Sequence, residues 1–144
     1  MIRVDAINTA ATGIAASLAQ LSATAHNLAN VQTTAPMDET AFQGDRPLLS
    51  ENPGGGVSVA AIIPAGTEEG IPAFQPDNPQ SDASGFVRLP DLDIAAEMVN
   101  LIVAEQAVAA NVSTINRAVD SYRDLLSMTN RQRRSQAAAA VVNL

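Results

Sequence analysis

Every proline of this chain, and all but one of its glycines, falls between residues 31 and 93. The flanks, 1–30 and 94–144, hold no proline and a single glycine, Gly13. Proline removes a backbone donor and clashes with the preceding turn, so only the flanks are free to form long helices. They also carry a period. Val4, Ile7, Ala11, Ile14, Leu18, Leu21, Ala25 and Leu28 follow one another in alternating steps of three and four. Ile94, Met98, Leu101, Glu105, Val108, Val112, Ile115, Val119, Tyr122 and Leu126 do the same, with Glu105 as the one charged member. Strands cannot generate this spacing, whereas a heptad seam does.

The expected fold is therefore mainly α. Two heptad-patterned terminal helices, about 40 and 50 Å long at 1.5 Å per residue, pack as a coiled coil around a Pro/Gly-rich insertion containing a small β-hairpin. The organisation expected is an N-terminal helix over 1–30, an acidic middle segment over 31–93 and a C-terminal helix over 94–144, the two helices forming one structural domain. Asn30 in a left-handed conformation, with Pro36 soon after, is expected to close the first helix. Asp93 is expected to cap the second, with Glu97 in its first turn. In the middle, Val57–Ile63 reads as a strand ended by Pro64, and Gly85–Leu89 as another ended by Pro90. The two are expected to pair across a long loop over 64–84.

Composition narrows the function. The chain has 144 residues, a net charge of −7, no cysteine, no tryptophan and one histidine. That excludes disulfides, thiolate metal sites, cysteine nucleophiles and the usual multi-histidine metal centres. An acidic chain with 3% aromatics lacks the basic face and stacking rings of a nucleic-acid binder. The expectation is no enzyme, no cofactor, no metal and no nucleic acid. No run of eighteen uninterrupted apolar residues exists, so no membrane insertion is expected. Asp5, Asn8, Thr9, Thr12 and Ser17 interrupt any secretory h-region. Asp77, Asp82, Asp91 and Asp93 fit no calcium loop and read as turn formers, and Gly54-Gly55-Gly56 lacks the lysine and following helix of a phosphate loop.

Charge is distributed unevenly. Residues 1–30 sum to zero, the middle carries two arginines against ten acids, and 94–144 carries five arginines against four. Arg131, Arg133 and Arg134 lie late in the second helix, either as a plain charged helix end or as a contact for an acidic neighbour. Alanine is abundant off both seams, which lets further helices approach closely, so stability is expected to come from multi-helix assembly.

Several stretches resemble the flagellar basal-body rod and hook axial proteins. Ala6-Ile7-Asn8-Thr9-Ala10-Ala11-Thr12-Gly13-Ile14 is similar to the family's N-terminal opening, and His26-Asn27-Leu28-Ala29-Asn30-Val31-Gln32-Thr33-Thr34 to its Asn-Leu-Ala-Asn signature. Gly85-Phe86-Val87-Arg88-Leu89-Pro90-Asp91-Leu92-Asp93, Glu97-Met98-Val99-Asn100 and Ala109-Ala110-Asn111 are similar to the run that opens the family's C-terminal helix. The short length, the Pro76-Asp77-Asn78-Pro79 turn and the Gly54-Gly55-Gly56-Val57 entry resemble the C-type proximal rod members more than the distal rod or hook proteins. Thr34-Ala35-Pro36 departs from the family's usual Thr-Gly-aromatic, Val108 stands where an aromatic is common, and the tail from Arg131 runs past the family's usual end.

The resemblance implies a structural subunit of the proximal rod, needed for motility, exported through the flagellar type III apparatus without a cleaved signal peptide. Such subunits stack helically with copies of themselves and other rod proteins across the periplasm and transmit torque. Basal-body ring and export components are further implied partners. The expected assembly interface comprises Ile7, Gly13, Ile14, Leu18, Leu21, Asn27, Leu28, Asn30, Met98, Leu101, Glu105, Val108, Asn111, Val112, Ile115, Val119, Tyr122 and Leu126. Within it, Gly13 admits a closely packed helix against Ala10 and Ser17. Asn27 and Asn30 either bond across subunits or cap and solvate their own helix, and Glu105 either fixes register through an arginine or stays solvated. The alternative from another class is a soluble coiled-coil adaptor or type III secretion chaperone.

Overall fold

The computed structural model describes residues 2–142. Its elements run α1 (Ile2–Asn30), β1 (Gly44–Glu51), β2 (Val57–Ala65), β3 (Ile71–Phe74), β4 (Phe86–Leu89) and α2 (Ile94–Val142). Two helices dominate, and the proline-rich middle supplies two small two-stranded sheets. At 1.5 Å per residue, α1 is about 43 Å long and α2 about 73 Å. Asp93 caps α2 as its position predicts: Oδ1 accepts from the amides of Ala95 at 2.8 Å and Ala96 at 3.2 Å.

The end of α1 differs from expectation. Among the described residues every positive φ belongs to a glycine, so Asn30 is not left-handed. Its side chain closes the helix instead. Nδ2 donates to the His26 carbonyl at 2.9 Å, Oδ1 accepts from the Thr33 hydroxyl at 3.3 Å, and the Asn30 carbonyl takes the Thr33 amide at 2.9 Å. An amide side chain that satisfies the last turn directly removes the need for a strained backbone.

Strand pairing also differs. Val57–Ile63 and Gly85–Leu89 do not pair with each other. β2 runs on through Pro64 to Ala65 and pairs antiparallel with β1, Arg46 facing Ile63 and Glu51 facing Val57, while β4 pairs with β3, Ile71 facing Leu89. The sequence conceals β1 and β3 because Pro47 and Pro72 interrupt them. In a two-stranded ladder each strand keeps an open edge, where a missing amide hydrogen costs little. The residues 64–84 are consequently not one loop, since β3 lies within them. β1 and β2 join through a turn in which the Asn52 carbonyl takes the Gly55 amide at 2.8 Å, with Gly55 and Gly56 at φ of 89° and 86°, a region that disfavours side chains.

The helices run antiparallel, with Asn27 beside Glu97 and Gly13 beside Asn111. The β1–β2 hairpin lies along α1: Asp45 meets Asn27 near the end of α1, and Val57 donates to the Thr12 hydroxyl at 3.2 Å nearer its start. The β3–β4 unit sits where α1 ends and α2 begins. Ala35 and Arg88 exchange both backbone hydrogen bonds there, and Val87 is fully buried.

Candidate assembly interface

The contact between the helices is made by small residues. Ala10, Ala16, Ala23, Thr24 and Asn27 are buried on α1, and Ala104 on α2, with Gly13, Ser17, Gln20, Leu101, Ala107, Val108, Asn111 and Ile115 half-buried. A Cβ on Gly13 would stand 2.8 Å from the Asn111 amide nitrogen, so glycine is what allows α2 to come this close. The helix that packs against Gly13 is therefore the chain's own.

On α1 the buried stripe runs one position before the apolar seam read from the sequence. Ala10, Thr24 and Asn27 are buried and Gly13, Ser17 and Gln20 half-buried, while Ala11, Leu18 and Ala25 are exposed and Ile7, Ile14, Leu21 and Leu28 are half-buried beside them. On α2 the inward residues include Glu97, Leu101, Ala104, Val108, Asn111, Ile115 and Ala118. Met98, Glu105, Val112, Tyr122 and Leu126 are exposed and Val119 is half-buried. The apolar seam is divided between two sides: Leu101, Val108 and Ile115 lie half-buried on α2, while Leu18, Met98, Val112, Tyr122 and Leu126 are exposed within the chain. Ala10, Ala16, Ala23 and Ala104 belong to the alanines off the seam that let helices approach closely, and the helix they admit is the chain's own.

Glu105 has no salt-bridge partner among the described residues and lies open to solvent. Asn27 is 1% exposed and joins three segments. Its Nδ2 donates to the Asp45 carbonyl at 2.9 Å and to Glu97 Oε1 at 3.2 Å, and its Oδ1 accepts the Asp45 amide at 2.6 Å. The space for this comes from Gly44, where a Cβ would sit 2.8 Å from Asn27 Oδ1. The hydrogen bonds of Asn27 thus lie within the chain, linking α1, β1 and α2. Beside it His26 Nδ1 lies 2.8 Å from Asp45 Oδ2, and its ring meets Phe42 edge-on at 5.4 Å. The signal for this junction was present in the resemblance at residues 26–34, but its partners, Gly44 and Asp45, lie in a stretch with no helical or strand pattern to place them.

The outer faces are apolar. Leu18 on α1, and Ile94, Met98, Val99, Ile102 and Val103 on α2, are exposed, with Ile102 53% exposed. α2 has a described window of eighteen residues with mean hydropathy 1.3, only 6% of it buried, and is long and apolar enough by length and composition to cross a membrane. The criterion of an uninterrupted apolar run misses this, because scattered polar residues break the run without lowering the average much. Of the acids read as turn formers, Asp82 acts as one: its Oδ1 accepts from the amides of Ser84 at 2.8 Å and Phe86 at 2.9 Å.

These hydrogen bonds and close contacts hold segments in register, and the arrangement is that of a structural protein: a helix-pair scaffold carrying a β insertion. No family model matches the chain. Among known proteins it is 33% identical over 121 residues to the flagellar basal-body rod protein FlgC of Yersinia enterocolitica, covering 81% of this chain and 90% of that one. It is 31% identical over 121 residues to the FlgC of Salmonella typhimurium, with the same coverage. It is 28% identical over 146 residues to that of Borreliella burgdorferi, covering 86% and 95%. The chain belongs to the FlgC family of flagellar basal-body rod proteins.

Proposed function

We propose that this chain is a non-catalytic, helically self-assembling subunit of the proximal rod, and that the outer faces of its two helices are the surfaces that join it to its neighbours. One observation carries the reading: among the described residues the chain buries almost nothing large. Among the described residues its core consists of Ala10, Ala16, Ala23, Ala41 and Ala104 with a single valine, Val87. The surface is 9834 Å², where a compact 14.9 kDa chain exposes about 7,000 Å². The excess is of the size that large obligate interfaces bury, and large apolar side chains such as Leu18, Met98, Val99, Ile102, Val103 and Leu126 stand exposed within it.

On this reading Leu18, Ile14, Leu21 and Leu28 of α1, and Met98, Val99, Ile102, Val103, Val112, Tyr122 and Leu126 of α2, contact other subunits. The terminal helices act as one structural domain, and the middle segment, 31–93, grips adjacent subunits from outside. Torque passes through many such contacts. The apolar face of α2 meets protein and not lipid, which is supported by Asn100, Glu105 and Gln106 lying exposed among its apolar residues. The subunit works in the periplasmic part of the basal body, reached by type III export without a cleaved signal, alongside other rod proteins, ring components and the export apparatus.

Deleting the chain is expected to abolish rod completion, hooks and swimming while earlier basal-body parts are still made. Normal hooks and motility in the deletion strain would refute the proposal. A stable soluble dimer, absent from purified basal bodies, would assign the chain to the adaptor or chaperone class instead.

A further inference from the structure

Among the described residues, the last part of α2 has no partner in its own chain. The register set by Asn27 beside Glu97 and Gly13 beside Asn111 brings the start of α1 level with about Tyr122, and α2 continues beyond it for about 30 Å. Every residue from Tyr122 to Gln136 is exposed. This overhang carries Arg131, Arg133 and Arg134, none of which forms a salt bridge within the chain among the described residues.

The opposite end is acidic. Asp38, Glu39, Glu68 and Glu69 surround Arg88 in an open depression next to the start of α2. Arg88 does not neutralise them through ion pairs. Its guanidinium donates to main-chain oxygens, to the Met37 carbonyl at 3.0 and 2.8 Å and to the Glu69 carbonyl at 2.6 Å. The four carboxylates are exposed, and none takes part in a salt bridge among the described residues.

We infer that the arginine end of one copy docks on the acidic rim of a second copy, so that the subunits join head to tail. The inference rests on the self-assembly reading and names the contact that orients it. The two ends cannot meet within one chain, because α2 separates Ile94 from Arg131 by about 55 Å of continuous helix. A second copy supplies both complementary surfaces in one molecule. A contact between two different surfaces of identical chains does not close on itself and propagates along an axis. The charges also set polarity: reversed stacking would oppose like charges, which disfavours it.

The test uses two full-length variants. One carries R131E, R133E and R134E, leaving both ends acidic. The other carries D38R, E68R and E69R, leaving both ends basic. All six side chains are exposed, so helix content by circular dichroism should be unchanged. Sedimentation velocity across protein and NaCl concentration reads association. The unaltered chain should associate more weakly as salt rises, since exposed pairs are screened. Each variant alone should require at least about tenfold more protein to associate, given three altered pairs at the surface. Mixed one to one, the variants should associate as the unaltered chain does, because each end then meets its opposite.

Association indifferent to the reversals would overturn this contact and leave the self-assembly reading standing. Loss in both variants without recovery on mixing would also overturn it, pointing the arginines to a different partner. An unaltered chain that stays monomeric up to its solubility limit would instead overturn self-assembly, and this contact with it.

Discussion

Asn27 is where the fold is most exposed to a single change. Replacing it with alanine removes three hydrogen bonds, to the Asp45 carbonyl, the Asp45 amide and Glu97. At a net 0.5–1.5 kcal/mol each, the loss is about 3 kcal/mol. Asn27→Asp keeps the shape and the acceptor but loses both donors, and sets a carboxylate where Glu97 Oε1 now lies at 3.2 Å. Two charges that close repel by about 5 kcal/mol at an effective dielectric of 20, which Glu97 relieves only by leaving the junction. The near-isosteric aspartate should therefore cost more than the alanine, about 4 kcal/mol against 3.

Urea unfolding followed by far-UV circular dichroism compares the three proteins. At about 1–3 kcal/mol per molar for the slope, the alanine variant's midpoint should fall by more than about 1 M and the aspartate's further. Hydrogen exchange adds a local readout: the Asp45 amide, donated to Asn27 Oδ1 at 2.6 Å, should lose protection in the alanine variant before the amides of mid-α1 do. An aspartate variant as stable as the unaltered chain, or milder than alanine, would refute the account of the junction.

Two further substitutions probe the helices. Gly13→Ala gains about 1 kcal/mol of helix propensity, but its Cβ meets the Asn111 amide at 2.8 Å. The single variant should be no more stable than the original, and adding Asn111→Ala should restore the gain, so a thermal-melt double-mutant cycle that is additive would contradict the close approach. Asp93→Ala frees the amides of Ala95 and Ala96 and should cost about 1 kcal/mol in urea, whereas Asp93→Asn should cost less; equal losses would contradict capping.

The helices were legible because their signal is carried by what is missing, proline, and by a repeat sustained over many turns. Asp93 was legible because capping chemistry is local. The orientation of the helices was not, because an apolar stripe states that a face is buried without stating by whom. Leu18 and Met98 belong to the stripe yet remain exposed in the chain, and alanines beside them make the intramolecular contact. β2 and β4 could be read from their branched and aromatic residues. β1 and β3 could not, since Pro47 and Pro72 contradict strand propensity and are tolerated only because each ladder has an open edge. The junction at Asn27 joins residues 27, 45 and 97, and no local pattern connects positions so far apart.

The central claim is that the outer faces of the two helices are covered by neighbouring subunits, and a thiol at one of those positions tests it most directly. The chain has no cysteine of its own, so Ile102→Cys, with Leu18→Cys in parallel, places a single reporter on each face. Both should react with maleimide in the isolated chain, where these positions are exposed. In purified basal bodies both should be protected, while Gln132→Cys records the state of the overhang. Thiols at 18 and 102 that label as fast in basal bodies as in the isolated chain would contradict the account.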